Sequence, residues 1–264
     1  MTSGKKARRE RRTPAPPPVR STGGRGRQAS PKVLAIGAGV IALAAVAVAL
    51  AFALTGGSSS GSSATGTTAS TLPDSGTAKS LFKGIPQHGN VLGKPNAPVT
   101  MVEYIDLQCP ICREFETTVM PSIVPRYIRS GKVRLVARPI AFLGPDSVRG
   151  RLAALAAGKQ NRFFDFSQLL YYNQGQENSG WLDDNFIRSA YASIPGLDAA
   201  AAEKARNASA VSQLAGEYDT QADADNVRGT PTVLVGKTGG KLTEVTSPDV
   251  ANLSAAIQAA QAGQ

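Results

Sequence analysis

The sequence predicts an α/β domain with an inserted helical subdomain, carried behind a single transmembrane helix and a flexible linker. Three observations predict it. An apolar, β-type run ends at Cys109-Pro110-Ile111-Cys112, which holds the only two cysteines, at the point where a helix-type pattern begins. An Ala-rich, aromatic-rich stretch of helical periodicity then separates the early β-type runs from later ones, as an insertion would. Finally, residues 33–54 contain only Val, Leu, Ala, Ile, Gly and Phe.

Residues 1–32 read as a basic, disordered cytoplasmic tail. Lys5, Lys6, Arg8, Arg9, Arg11, Arg12, Arg20, Arg25, Arg27 and Lys32 face Glu10 alone, so this segment supplies most of the net charge of +10. Cationic flanks stay inside, which sends the remainder of the chain outward. A nucleic-acid-binding arm is the other use of such a segment. The Pro-Gly composition, without aromatics or a folded module, speaks against it. As a helix, residues 33–54 would measure about 33 Å, enough to cross about 30 Å of hydrocarbon. Ala51-Phe52-Ala53 resembles a signal-peptidase site, but h-regions run to about 15 residues, and an uncleaved anchor is the better reading. Residues 55–84, rich in Gly, Ser and Thr, form the linker, of which the stretch Thr55 to Ser80 has a reach of roughly 25 to 30 Å.

The exported domain spans 85–264. Val99 to Leu107 is β-rich and mostly apolar, as a central strand covered on both faces requires. Pro110 to Ile128 carries Ile111, Phe115, Val119, Ile123 and Tyr127 on one helical stripe, with a kink or break expected at Pro121 and Pro125. Lys132 to Ile140 alternates as a second strand. Residues 142–226 form the helical insertion. Its aromatics Phe163, Phe164, Phe166, Tyr171, Tyr172 and Trp181 read as its core. The sequence Leu197, Ala201, Ala205, Ala208, Val211, Ala215, Tyr218 marks one long amphipathic helix. Thr230-Pro231 opens a further strand through Gly236, followed by a β-type run from Leu242 to Thr246. Ser247-Pro248 is a cap and first-turn pair for a final helix through Ala260.

The chemistry resides in the cysteines. Only a thiolate attacks a disulfide, and the first turn of a helix favours negative charge. Cys109 would sit at that start, Pro110 suits the first turn, and Cys112 lies one turn deeper. Cys109 is therefore assigned as nucleophile and Cys112 as resolving thiol. A purely structural bridge closing so short a loop would remove little unfolded-state entropy. Zinc would need four ligands, and the sole histidine, His88, is distant in sequence, so no metal is assigned and His88 is read as structural or solvated.

The order strand, CxxC, helix, strand, helical insertion, Thr-Pro, strand, strand, helix is that of a thioredoxin fold with an inserted helical domain. With Glu103-Tyr104-Ile105-Asp106-Leu107-Gln108-Cys109-Pro110-Ile111-Cys112 and Gly229-Thr230-Pro231-Thr232, the domain resembles the DsbA-like thiol:disulfide oxidoreductases over about 88–262. The resemblance implies a cis-proline at Pro231 beside the dithiol and a Thr230 backbone that pairs with extended substrate. It also implies a buried acid at Glu103 that relays a proton to or from Cys112. Further implications are exported cysteine-containing proteins as substrates, a quinone-linked membrane oxidase of the DsbB or VKOR type as redox partner, and no cofactor. One position departs: DsbA carries histidine where this chain has Ile111, which offers the sulfur neither charge nor hydrogen bond. The expected consequence is a dithiol less oxidising than DsbA. A reductase or isomerase of the same fold, and a tethered chaperone-like module with a structural disulfide, are the alternatives.

Overall fold

A computed structural model describes residues 71–263. The basic tail, the apolar span and the linker up to residue 70 lie outside the described residues. Among those described, no helix is long and apolar enough to cross a membrane. The domain begins earlier than the sequence suggested: part of the segment assigned to the linker folds as α1 (Ser75–Phe82), because Ala78 and Phe82 are buried. Phe82 packs on Phe164, with ring centroids 5.8 Å apart.

Among the described residues, six strands form one sheet: β1 (Gln87–His88), β2 (Val91–Leu92), β3 (Val99–Ile105), β4 (Val133–Pro139), β5 (Thr232–Lys237) and β6 (Thr243–Glu244), in the order β1-β2-β4-β3-β5-β6. Only the β3–β4 pair is parallel. β3 lies centrally and is buried at every position, whereas β4 alternates buried and half-buried, as the two patterns in the sequence indicated.

The helix after the dithiol is α2 (110–128), whose prolines predict a kink or a break. It does not break at its prolines; two π-helical stretches, Phe115–Val119 and Val124–Ile128, carry it through. The Met120 N–H donates to Phe115 O and the Arg129 N–H to Val124 O, each spanning five residues. The wider turn accommodates a ring that would clash with the carbonyl one α-turn back.

The insertion comprises α3 (Pro145–Gly158), α4 (Phe163–Tyr172), α5 (Asp184–Ala192), α6 (Ala199–Arg206) and α7 (Ser209–Ala224). Phe163, Phe164, Phe166 and Tyr171 form its buried centre, with Tyr172 and Trp181 partly buried. The single long helix expected over 197–218 is two helices. Asn207 and Ala208 leave helical geometry, and buried Arg206 is drawn to Asp184 (2.8 Å) and Glu203 (2.6 Å). The inward face of α6 is consequently Ala202 and Arg206, not Ala201 and Ala205. At the end of α7, Asp225 accepts from Tyr104 Oη (2.6 Å) and pairs with Arg138 (3.0 Å), fixing the insertion's exit to β3 and β4. The last helix, α8 (Val250–Ala262), is capped by Asp249, which accepts from the Asn252 N–H at 2.7 Å; Ser247, at φ 52°, sits in the preceding turn. Of the run Leu242 to Thr246, only Thr243–Glu244 pairs as strand.

Candidate active site

β3 delivers the chain into the site. After Ile105 comes the turn Asp106 to Gln108, then Cys109 in extended geometry (φ −72°, ψ 122°) as the N-cap of α2, with Pro110 in the first turn. Asp106 fastens this turn: one carboxylate oxygen accepts from the Gln108 N–H (3.0 Å), the other from the N–H groups of Phe142 (2.7 Å) and Leu143 (3.0 Å). From the far side, the cis Thr230-Pro231 bond at the head of β5 brings Thr230 O to 3.5 Å from Cys109 Sγ, which donates to it as a thiol.

The two sulfurs are unequal. Cys109 keeps 6% of its surface exposed and Cys112 none; both are free thiols in this structure. The Cys112 thiol donates to Cys109 and is the main reason that the Cys109 ionisation falls to about 6; the Thr230 side chain and the N–H groups of Cys112 and Ile111 add to it, against a burial term that raises it. Burial pushes Cys112 well above the ordinary thiol range. The pair is thus set up for attack at Cys109 and for a proton-holding Cys112.

Glu103 lies on β3 opposite Ala137 and Val233, fully buried, with no ion-pair partner among the described residues. Its companion is Glu116, also buried, on the first π-turn of α2. Glu103 Oε2 and Glu116 Oε1 have no hydrogen-bond partner among the described residues. Burial raises both ionisations; the Glu116 charge and hydrogen bond raise that of Glu103 further, while the same hydrogen bond partly offsets the rise at Glu116. A carboxyl pair so placed retains a proton at neutral pH. Buried Tyr171 stands among Cys112, Glu116, Glu103 and Asp106, whose charges push its ionisation further up after burial. Sequence reading missed Glu116. The available signal was its position four residues after Cys112, which puts it on the same face of α2.

Ile111 does not approach the sulfur's inner side; it is 64% exposed. With Phe115, Val119, Thr230, Pro231 and Pro248 it lines an apolar groove of about 370 Å³ beside the dithiol. A second cavity of about 380 Å³, between α1 and α4 and lined by Lys79, Phe82, Gln87 and Arg162, lies away from the sulfurs. The structure therefore brings Cys109, Pro110, Ile111, Cys112, Thr230 and Pro231 together and sets Glu103 with Glu116. His88 stands apart, exposed on β1 and paired with Val91.

A sequence profile of the family described as Thioredoxin matches residues 87–259. The probable disulfide bond formation protein D of Bacillus cereus is 32% identical over 147 residues, 54% of this chain and 68% of that protein. Its Bacillus anthracis counterpart is 31% identical over 169 residues, 63% and 75% of the two chains. This chain belongs to the DsbA-like thiol:disulfide oxidoreductases. A thioredoxin-like oxidoreductase from Silicibacter pomeroyi superposes with a TM-score of 0.54 at 28% identity, over 70% of this chain and 97% of that one. Oxidised BdbD from Bacillus subtilis shares the fold at a TM-score of 0.58 and 23% identity, over 66% and 95% of the two chains. The enzyme is accordingly a protein disulfide oxidoreductase of DsbA-like architecture, a sheet with a helical insertion.

Proposed function

We propose that this DsbA-like enzyme is a membrane-tethered dithiol oxidase. Anchored by residues 33–54 with its N-terminus in the cytoplasm, it introduces disulfides into exported proteins through Cys109 and Cys112. The observation that carries this reading is the inequality of the sulfurs beside Thr230-Pro231 and an apolar groove: Cys109 keeps a narrow exposed edge and is acidic, and Cys112 is sealed in.

In the proposed cycle, a substrate thiolate attacks Cys109 Sγ of the oxidised pair. The Cys109–Cys112 bond breaks as the mixed disulfide forms, and Cys112 leaves with the electron pair. Its high proton affinity means that it takes up a proton, and the Glu103–Glu116 pair supplies a buried store from which Glu103 relays it. A second substrate thiolate then attacks the substrate sulfur, expelling Cys109 as thiolate. The substrate is oxidised by two electrons and the enzyme reduced by two. The expulsion is favoured because a low-pKa thiol leaves readily. Extended substrate would pair with the Thr230 backbone while an apolar side chain occupies the groove beside Ile111. A quinone-linked membrane oxidase of the DsbB or VKOR type would restore the bridge, with no metal or organic cofactor on this chain.

Acid trapping followed by alkylation of cells tests the direction of flow. Cys109 and Cys112 recovered mostly as disulfide support the oxidase; a mostly dithiol pair establishes a reductase or isomerase instead. Cys109→Ser is expected to abolish disulfide transfer, and full activity in that variant would establish a chaperone-like module.

A further inference from the structure

The turn that presents Cys109 is gripped by the insertion. Gln174, just past α4, directs its amide nitrogen at two carbonyls, Leu107 O at 3.1 Å and Cys109 O at 3.2 Å. One NH2 group has two hydrogens, so both are used. Cys109 O also accepts from the Arg113 N–H; Leu107 O, beyond the end of β3, has no backbone donor among the described residues. Between these carbonyls, the Gln108 side chain is locked from α3 and from the same insertion loop. It donates to Ser147 Oγ (2.8 Å) and Asn178 Oδ1 (3.1 Å) and accepts from the Asn178 N–H (2.9 Å). Asn178 in turn donates to Leu143 O (2.7 Å), next to the amides held by Asp106. The result is a closed ring of hydrogen bonds around residues 106–109.

We propose that Gln174 is a positioning residue for thiol exchange, holding the Leu107 to Cys109 turn, and with it the Cys109 sulfur, at the entrance of α2. The inference rests on Cys109 being the attacked sulfur. The torsions that aim the Cys109 side chain lie between the two carbonyls that Gln174 ties together. Loss of the tie frees them to rotate and lets the sulfur drift from the donors that stabilise its charge. The insertion thereby has a mechanical part in the chemistry as well as flanking it.

The test is a pH titration of thiolate absorbance and of alkylation rate on the reduced full-length chain. The first ionisation belongs to Cys109, since that of Cys112 is displaced upward. Gln174→Met removes both donors at similar volume. Gln174→Glu keeps the shape and sets acceptor oxygens against the two carbonyls, and its half-buried site lets it fold. The Met variant is expected to raise the Cys109 pKa by about half a unit, roughly halving the thiolate fraction at pH 6; the Glu variant raises it further. A solvent-facing control, Gln176→Ala, leaves it unchanged. A role confined to structure would lower the melting temperature without moving the ionisation, and an unmoved pKa in both variants overturns the proposal. An ordinary ionisation near 8.5 in the unaltered protein would instead overturn the reading of Cys109 itself, so the two failures are distinguishable.

Discussion

Cys109 ionises near 6 without any histidine in its motif, mainly through the Cys112 thiol. That value lies between the nucleophiles of thioredoxin, about 7, and DsbA, about 3.5. In such pairs a lower thiol pKa stabilises the reduced form and makes the bridge more oxidising. The reduction potential is therefore expected between about −270 and −120 mV. Equilibration with glutathione measures it, and Ile111→His is expected to move it toward the oxidising end. The buried acids make a second prediction. Glu103 and Glu116 hold protons to higher pH when folded than when unfolded, where carboxyls ionise near 4.3. Above that pH the native state binds the extra protons, so their contribution to stability falls as pH rises. Glu116→Gln is expected to flatten this fall and to add about 1 kcal/mol or more at pH 8, read from urea midpoints at pH 5 and 8. The cysteines were legible in sequence because thiol exchange needs sulfur and the chain has two. Glu116 was not, since an acid on an amphipathic helix ordinarily faces water. Gln174 and Asn178 were not either: their partners are main-chain and amide groups 65 to 70 residues away.

Among the elements, the two central strands were read correctly because burial leaves a simple trace, unbroken apolarity for β3 and alternation for β4, whereas the two-residue strands β1 and β2 leave none and were missed. The helices were less legible. The prolines of α2 signal a lost hydrogen bond, yet the backbone absorbs them by widening a turn, an outcome set by packing on both sides of the helix. The split between α6 and α7 follows from an ion pair of Arg206 with a residue of another helix, which periodicity cannot reveal. The entry to α3 allows a direct check. Gly144 has φ 126°, and a Cβ there would come within 2.8 Å of Asn178 Oδ1. Gly144→Ala combines backbone strain with displacement of Asn178, and a loss of roughly 1 to 3 kcal/mol is expected. Denaturant unfolding measures the loss, and greater protease sensitivity of the 174–180 loop should accompany it.

In the whole molecule, the chain enters the described domain against the insertion, beside the residue that grips the thiol turn. The Leu72 N–H donates to Ser193 Oγ (2.8 Å) and Asn173 donates to Pro73 O (3.0 Å), while Arg129, at the end of α2, donates to Leu81 O (2.8 Å) and Lys83 O (2.5 Å). Cys109 stands at the other end of the same helix, roughly 25 Å along it. Arg129→Ala is expected to speed amide exchange in α1 while leaving thiol-exchange rates unaltered; slowed exchange chemistry would show that the two ends of α2 are coupled. The arrangement sets the chain's entry beside the chemistry. A pull on residues 71–73 would fall first on Ser193 and Asn173, and Asn173 adjoins the glutamine that holds the turn aiming the sulfur.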